Sequence, residues 1–223
     1  MPVPSEATPP PRPAGRYQRT STGLEFDRVA FFSDAVFAIA MTLLVVGIGI
    51  PTVRDSQLGD ALRDKESEII SFFIGFVVIG AYWRSHHRFW ARLNAVTQAM
   101  IIVNLFYLAA IAFTPFPTAL AGKYTEEPVS IVLYAITLAI ASGLQAVMLW
   151  LANRDDLLFD HLPPKVLRYG LIASLVPVAV FLGSIPLALM STTYALWSWL
   201  LIIPLEFLVD RWLEPDGADE LLP

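Results

Sequence analysis

The chain has 223 residues, of which 56% are hydrophobic and 16% are charged, so it is too apolar for an ordinary soluble domain of this length. It contains no cysteine, which excludes disulfide bonds and cysteine-based metal or nucleophile chemistry. The formal net charge of −5 does not orient a membrane protein, because orientation follows the placement of Lys and Arg.

The two ends of the chain differ from its middle. MPVPSEATPPPRP contains six prolines and no apolar run, so we expect residues 1–23 to form a disordered cytoplasmic tail and not a signal peptide. Residues 213–223 are expected to form an acidic C-terminal tail. The segment between them, 24–212, is predicted to be an all-α transmembrane domain.

Long uncharged blocks between the charges predict six transmembrane helices. A helix rises ~1.5 Å per residue and must cross ~30 Å of hydrocarbon. The blocks place the spans at roughly 28–50, 67–91, 94–119, 129–153, 166–185 and 190–210. The last two come from one charge-free stretch that is too long for a single span, so we expect a tight turn near Ser184, Ile185 and Pro186.

The distribution of basic residues predicts the orientation of these spans. Of the 15 Lys and Arg residues, eleven lie in the N-terminal segment, the second-to-third and fourth-to-fifth connections, and the C-terminal end. Six spans put all four of these regions on one side, and the side richer in Lys and Arg is cytoplasmic. We therefore expect a multi-pass protein of the cell inner (plasma) membrane with both termini in the cytoplasm.

The first span, RVAFFSDAVFAIAMTLLVVGIGIP, combines a polar entrance with a long apolar remainder. A charge at the mouth of a span is costly, so Asp34 should face protein or water. Arg28 and Asp34 lie on different faces of a helix and cannot pair with each other. The inner end of the second span offers partners for a polar clamp, namely Trp83, His86, His87 and Trp90. Direct contact between Asp34 and an ion remains an alternative.

Helical spacing also selects one apolar stripe on the first span. It comprises Phe32, Ala35 or Val36, Ile39, Thr42 with Leu43, Val46 and Ile50. Such a stripe packs against neighbouring helices in most membrane proteins, and it lines a path in some. The residues alone leave both interpretations open.

No enzyme signature is present. The chain has no glycine-rich phosphate loop, nucleophile-elbow serine or HExxH helix, and adjacent His86 and His87 point about 100° apart on a helix and are poor co-ligands. We expect no enzyme activity, no bound cofactor or metal, and no nucleic-acid partner. The competing hypotheses are a secondary cation transporter, a structural or sensory membrane protein, and, least favoured, an intramembrane enzyme.

Three segments resemble one family. The pattern Arg28-x-x-x-Phe32-Ser33-Asp34, followed by AVFAIAMTLLVV, is similar to the RxxxFSD signature of the transmembrane protein 175 family of potassium channels. YWRSHHRFW (82–90) and FTPFPTAL (113–120) also resemble segments of its bacterial members. The resemblance covers the six spans, roughly 24–212.

The resemblance implies a six-helix subunit that forms a homotetramer in the bilayer, with four copies of the first helix around a potassium pore. It implies no TVGYG filter loop, and this sequence has none. Matched by distance from Asp34, the family's apolar constriction falls on Ile39, with further rings on Leu43 and Val46, and its hydroxyl layer falls on Thr42. We expect weak selectivity for potassium over sodium, and a role in folding and assembly for Arg28, Phe32, Ser33 and Asp34.

Overall fold

The computed structural model describes residues 16–18 and 24–215. Within them the chain is helical apart from two three-residue β-strands and short connections. The strands are β1 (Arg16–Gln18) and β2 (Ala95–Thr97). The α-helices are α1 (Leu24–Leu43), α2 (Leu58–Arg63), α3 (Glu66–Ala91), α4 (Gln98–Phe113), α5 (Pro115–Lys123), α6 (Pro128–Arg154), α7 (Pro164–Met190), α8 (Thr192–Ser198) and α9 (Ile202–Leu213). Short 3-10 helices occupy Leu44–Ile48, Asp55–Gln57 and Trp199–Leu201.

Six helical stretches of the described chain are long and apolar enough to cross a membrane, which confirms the predicted number of spans. They are Phe26–Ile48, Glu66–Ala91, Gln98–Lys123, Pro128–Arg154, Pro164–Met190 and Thr192–Leu213. The first span is α1 continued by a 3-10 helix, the third combines α4 with α5, and the sixth runs from α8 through α9. The chain is therefore a multi-pass membrane protein.

The predicted turn between the fifth and sixth spans was misplaced. Helix α7 continues through Pro177 and Pro186, and the chain breaks only at Ser191, whose backbone is extended and whose hydroxyl accepts from the Tyr194 N–H at 3.5 Å. Proline is tolerated inside a membrane helix because neighbouring groups satisfy the freed carbonyls, whereas serine stabilises a helix start. Pro186 therefore does not indicate where the fifth span ends. Ser191 does, because it caps the start of α8.

One end of the bundle is closed by chain connections that pair with each other. Strand β1 pairs antiparallel with β2, with Tyr17 opposite Val96. The Leu157 carbonyl accepts from the backbone N–H groups of both Asn94 and Ala95. Three residues of the expected tail thus form β1 and have backbone partners in β2. The rest of that prediction, 1–15 and 19–23, and the end of the acidic tail, 216–223, lie outside the described residues.

Helix α6 lies at the centre of the subunit and packs against α4, α5 and α7, while α1 packs against α3 and α4. The main apolar core joins these helices at the end of the bundle that β1 and β2 close. Its fully buried members include Phe37, Met100, Tyr107, Met148 and Leu157. This core holds the first span against α3 and α4.

Close contacts at small residues join α5 to α3. A methyl group added at Gly122 would lie 2.8 Å from the Cβ of Ser71 and 3.1 Å from the Cα of Glu68. Both atoms are fixed by the backbone of α3, so neither can move away by a change of side-chain rotamer. Small residues at such positions let membrane helices approach closely enough for dispersion contacts to stabilise the pair.

Gly122→Ala should therefore destabilise the subunit by about 1–3 kcal/mol, because the added methyl forces α3 and α5 apart. The measurement is the thermal unfolding midpoint of the detergent-solubilised protein. Gly143→Ala is the matched control, since a methyl group there meets no atom within 4 Å. Equal midpoints for the two variants would contradict the close packing of α3 and α5.

Candidate functional site

The first span has two faces of different character. Four side chains spaced three or four residues apart, those of Ser33, Phe37, Ala40 and Leu44, are buried against the rest of the subunit. The face opposite them is exposed and, beyond Asp34, uncharged. One side of the span is thus anchored, and the other is left uncovered by its own subunit.

The predicted apolar stripe lies on this uncovered face. Ile39 is 57% exposed, Leu43 46% and Val46 72%, and Thr42 is exposed between them. Ala35 is also exposed whereas Val36 is half-buried, so Ala35 is the member of that pair on the stripe. The face extends to Ile50 at the far end of the span and to Phe32 at the near end.

The buried face carries a chain of hydrogen bonds. The Ser33 hydroxyl donates to the Val29 carbonyl at 2.9 Å and accepts from the Asn104 side-chain nitrogen at 3.0 Å. The Asn104 side-chain oxygen lies 2.9 Å from Nε2 of His86. Since an amide oxygen only accepts, His86 must donate here, which places a proton on its Nε2. The first span is in this way linked to α4 and, through Asn104, to α3.

Asp34 makes a second link to α3. The Trp83 indole N–H donates to the Asp34 carboxylate at 2.9 Å. His87 does not contact the carboxylate in this way. It is exposed, and its ring stacks on the ring of Trp83 with centroids 5.5 Å apart.

Aromatic rings surround the buried histidine. The His86 ring stacks almost parallel on Tyr107, with centroids 5.3 Å apart, and Phe37 of the first span lies 5.4 Å from it. Trp90 contacts His86 and Phe26 through its ring. Its indole N–H has no hydrogen-bond partner among the described residues. Of the four candidate clamp residues, Trp83 and His86 supply hydrogen bonds, while His87 and Trp90 supply ring contacts.

The signature residues divide between the two faces. Ser33 is fully buried and Asp34 is half-buried, and both have partners within the subunit. Arg28 and Phe32 are exposed and lie outside this network. The clamp inside one subunit therefore involves the Ser-Asp half of the signature.

The Thr42 hydroxyl has a defined direction. It donates to the Ile39 carbonyl at 2.8 Å, so its proton is used within the helix and its oxygen lone pairs point away. One residue further on, after Leu43, the α-helix tightens into the 3-10 helix Leu44–Ile48. Thr42 thus presents an oxygen acceptor at the end of the regular α-helix.

Asn104 is the residue of this site that the sequence reasoning missed. It is completely buried in α4 and joins Ser33 to His86. A signal existed: a lone asparagine inside the apolar run MIIVNLFYL is costly in hydrocarbon unless it bonds across helices. Among the described residues, no group of three His, Asp or Glu side chains is arranged to hold a metal ion.

Comparison with known proteins places this arrangement in one family. A family model described as "Endosomal/lysosomal potassium channel TMEM175" matches residues 28–115, which include the signature, the clamp on α3 and Asn104.

Two curated bacterial relatives and one solved structure extend the match. A protein of Streptomyces collinus named a potassium channel is 34% identical over 142 residues, covering 61% of this chain and 68% of that protein. A protein of Chamaesiphon minutus, also named a potassium channel, is 36% identical over 141 residues, covering 60% and 70%. The crystal structure of a lysosomal potassium-selective channel TMEM175 homolog from Chamaesiphon minutus aligns with a TM-score of 0.70 at 23% identity, covering 86% of this chain and all of that one. This last likeness shows the fold.

Trp83→Phe tests the link between α3 and Asp34. It keeps the aromatic ring and removes only the N–H donor, so we expect a loss of stability of about 1–3 kcal/mol from the unsatisfied carboxylate. The readout is the thermal midpoint of the purified full chain in detergent. Trp197→Phe is the matched control, because Trp197 is exposed on α8 and far along the chain from the clamp. A midpoint for Trp83→Phe equal to that of the control would show that this hydrogen bond does not hold the span.

Proposed function

The chain belongs to the TMEM175 family of ion channels and not to an enzyme family, and we propose that it is a potassium-permeable cation channel. In this proposal four subunits form a homotetramer, and the first span of each lines a central pore. Potassium is the permeant ion, and no cofactor is required.

The uncovered face of the first span is the observation that carries this proposal. The first span is anchored on one side by hydrogen bonds, so its other side must contact either lipid or a neighbouring subunit. That bare face has no charged residue from Ala35 to Val53, yet it carries the hydroxyl of Thr42. A helix against lipid gains nothing from a hydroxyl, whereas four copies around an axis would place a ring of hydroxyls in a pore.

Ile39 is the proposed constriction. It lies about 7 Å beyond Asp34 along the helix and points outward from the subunit. Four such side chains around an axis would form an apolar ring that excludes water when narrow, so that ions could pass only by losing hydration. Leu43 and Val46 would form further apolar rings. Tilting or rotating the first spans would widen the ring at Ile39 and let it fill with water.

Thr42 is the proposed hydroxyl layer. Its proton is engaged with the Ile39 carbonyl, which leaves its oxygen to face a cation. Potassium loses its water more easily than sodium, so an apolar ring followed by four hydroxyls would favour potassium. The preference should be weak, because four hydroxyls are fewer and less polar than the carbonyls of a dedicated filter.

The signature residues are proposed to act in assembly. Ser33 and Asp34 fix the first span to its own subunit, which a pore-lining helix needs, and Arg28 and Phe32 are exposed and free to contact a neighbouring subunit. The proposed location is the cell inner membrane with both termini in the cytoplasm, on the placement of Lys and Arg.

Ile39→Asn should raise unitary conductance, because amide side chains keep the ring hydrated. The measurement is single-channel current of the full chain in planar bilayers. Ile39→Leu, which stays apolar, is the control and should conduct like the wild type. Unchanged current and reversal potential in Ile39→Asn would contradict the proposal that Ile39 forms the constriction. A saturating flux without ohmic single-channel current would favour a secondary cation transporter.

Thr42→Ala should move the permeability ratio of potassium to sodium towards one, since it removes the hydroxyl oxygens and leaves the apolar ring intact. Bi-ionic reversal potentials measure the ratio. Thr42→Ser keeps the hydroxyl and should retain the wild-type preference. If serine and alanine behave alike, the hydroxyl layer has no part in selectivity.

A further inference from the structure

A second polar feature lies away from the first span. A cavity of about 540 Å³ lies between α3, α6, α7 and α9. On α3 it is lined by Tyr82, Ser85 and Arg88, whereas the clamp to the first span uses Trp83 and His86. The cavity therefore belongs to a different face of α3 and is separate from the proposed pore. Its volume is within the range of small-molecule sites.

The charged and strongly polar lining residues lie at one end of the bundle. Helices α3 and α9 end there, close to Arg88 and Asp210, and α7 begins there, close to Tyr169. Arg88 and Asp210 each lie about 5 Å from their helix ends, and Glu206 lies about 10 Å from the end of α9. Arg88 and Asp210 thus lie in the last turn of their spans, and Glu206 lies about two turns inside the sixth span.

The deeper lining is apolar. Val78, Pro177, Phe181 and Ile202 lie further from that end of the bundle and line the same cavity. The cavity thus changes from charged to apolar with depth, in the same sense as a bilayer leaflet.

The charges at its mouth include two that the protein does not neutralise. The ion pairs of the described chain involve other side chains, neither Arg88 nor Glu206 makes a hydrogen bond there, and the charge that acts on Glu206 is the like charge of Asp210. Asp210 accepts a hydrogen bond from the Tyr169 hydroxyl at 2.7 Å. An ionisable residue such as Glu206 within a span is costly unless something pairs with it. The lining therefore contains one cationic group and two carboxylates that form no ion pair with one another, and apolar side chains further from this end of the bundle.

Other polar groups of the lining already have partners. The Tyr82 hydroxyl lies 2.6 Å from that of Ser142, and Gln145 donates to Ser85. They form a neutral wall joining α3 to α6. The binding capacity that remains is that of Arg88, Glu206 and Asp210.

We propose that this cavity binds a zwitterionic phospholipid whose headgroup carries a phosphate and a primary ammonium. Arg88 pairs with the phosphate, Glu206 and Asp210 accept hydrogen bonds from the ammonium, and an acyl chain lies along Val78, Phe181 and Ile202. The charges of headgroup and cavity are complementary in sign, and the apolar part of the lining is available to the acyl chain. This inference does not depend on the proposed channel function.

The chemistry selects among lipids. A primary ammonium has three N–H donors for the two carboxylates, whereas a choline headgroup has none and a glycerol headgroup has no positive charge. Phosphatidylethanolamine should therefore bind in preference to phosphatidylcholine and phosphatidylglycerol.

The test uses the full chain, reconstituted into nanodiscs containing equal parts of these three lipids and then extracted into detergent. Lipid mass spectrometry measures the lipid retained per subunit. We expect phosphatidylethanolamine to be enriched about tenfold over phosphatidylcholine, as one charge-assisted hydrogen bond would give. Glu206→Gln should reduce the enrichment by about the same factor, and Glu206→Asp should restore most of it. Arg88→Gln should instead reduce the retention of all three lipids, because they share the phosphate, and Arg88→Lys should restore most of it.

The matched controls are Glu66→Gln and Arg84→Gln. Each removes a charge of the same sign as the residue it controls for, from a position on α3 outside the cavity, and should leave lipid retention and enrichment unchanged. Equal retention of the three lipids by the wild type would overturn the proposal, as would enrichment unaffected by Glu206→Gln or total lipid retention unaffected by Arg88→Gln. Displacement of the lipid by soluble phosphoethanolamine at equal concentration would also overturn it, because the site would then be one for a free anion–amine ligand and not for a lipid. Absence of any retained lipid would likewise overturn it.

Discussion

A polar side chain inside a bilayer has no water to bond, so each one must find a partner in the protein or stay at the edge. The first span depends on how its own polar groups meet this requirement. Ser33 reaches Asn104, Asn104 reaches His86, and Asp34 reaches Trp83. Each bond fixes the rotation of the span about its axis, because a turn of the helix would leave buried groups unsatisfied at a cost of about 1–3 kcal/mol each.

Fixing that rotation decides which side chains remain uncovered. With Ser33 and Phe37 buried, helical geometry leaves Ile39 and Val46 on the opposite side. The polar entrance and the apolar stripe are thus two halves of one arrangement: the hydrogen bonds behind the helix set the direction of the apolar side chains in front. The stacked rings around His86 add rigidity, since Tyr107 and Phe37 restrict the imidazole from two sides.

The sequence was most informative where a single residue carried a free-energy cost in the bilayer that only a partner could offset. Asp34 at the mouth of an apolar span predicted a partner on α3, and Trp83 is placed to be one. Uncharged block lengths predicted six spans, since hydrocarbon thickness sets them. Asn104 went unnoticed because its partners, 71 and 18 residues away, are set by tertiary packing. The turn at Ser191 was misplaced for a related reason: whether Pro186 breaks a helix depends on neighbours that the local sequence does not reveal.

Helix α3 connects the two polar regions of the subunit. Trp83 and His86 hold the first span from one of its faces, and Ser85 and Arg88 line the cavity from another. A helix moves as a rigid rod over such short distances, because its backbone hydrogen bonds resist bending. Any ligand of the cavity that shifts α3 must therefore shift Trp83 and His86 with it, and Asp34 and Asn104 must follow or lose their hydrogen bonds. The contacts that fix the first span are also those through which a change at the cavity would reach it.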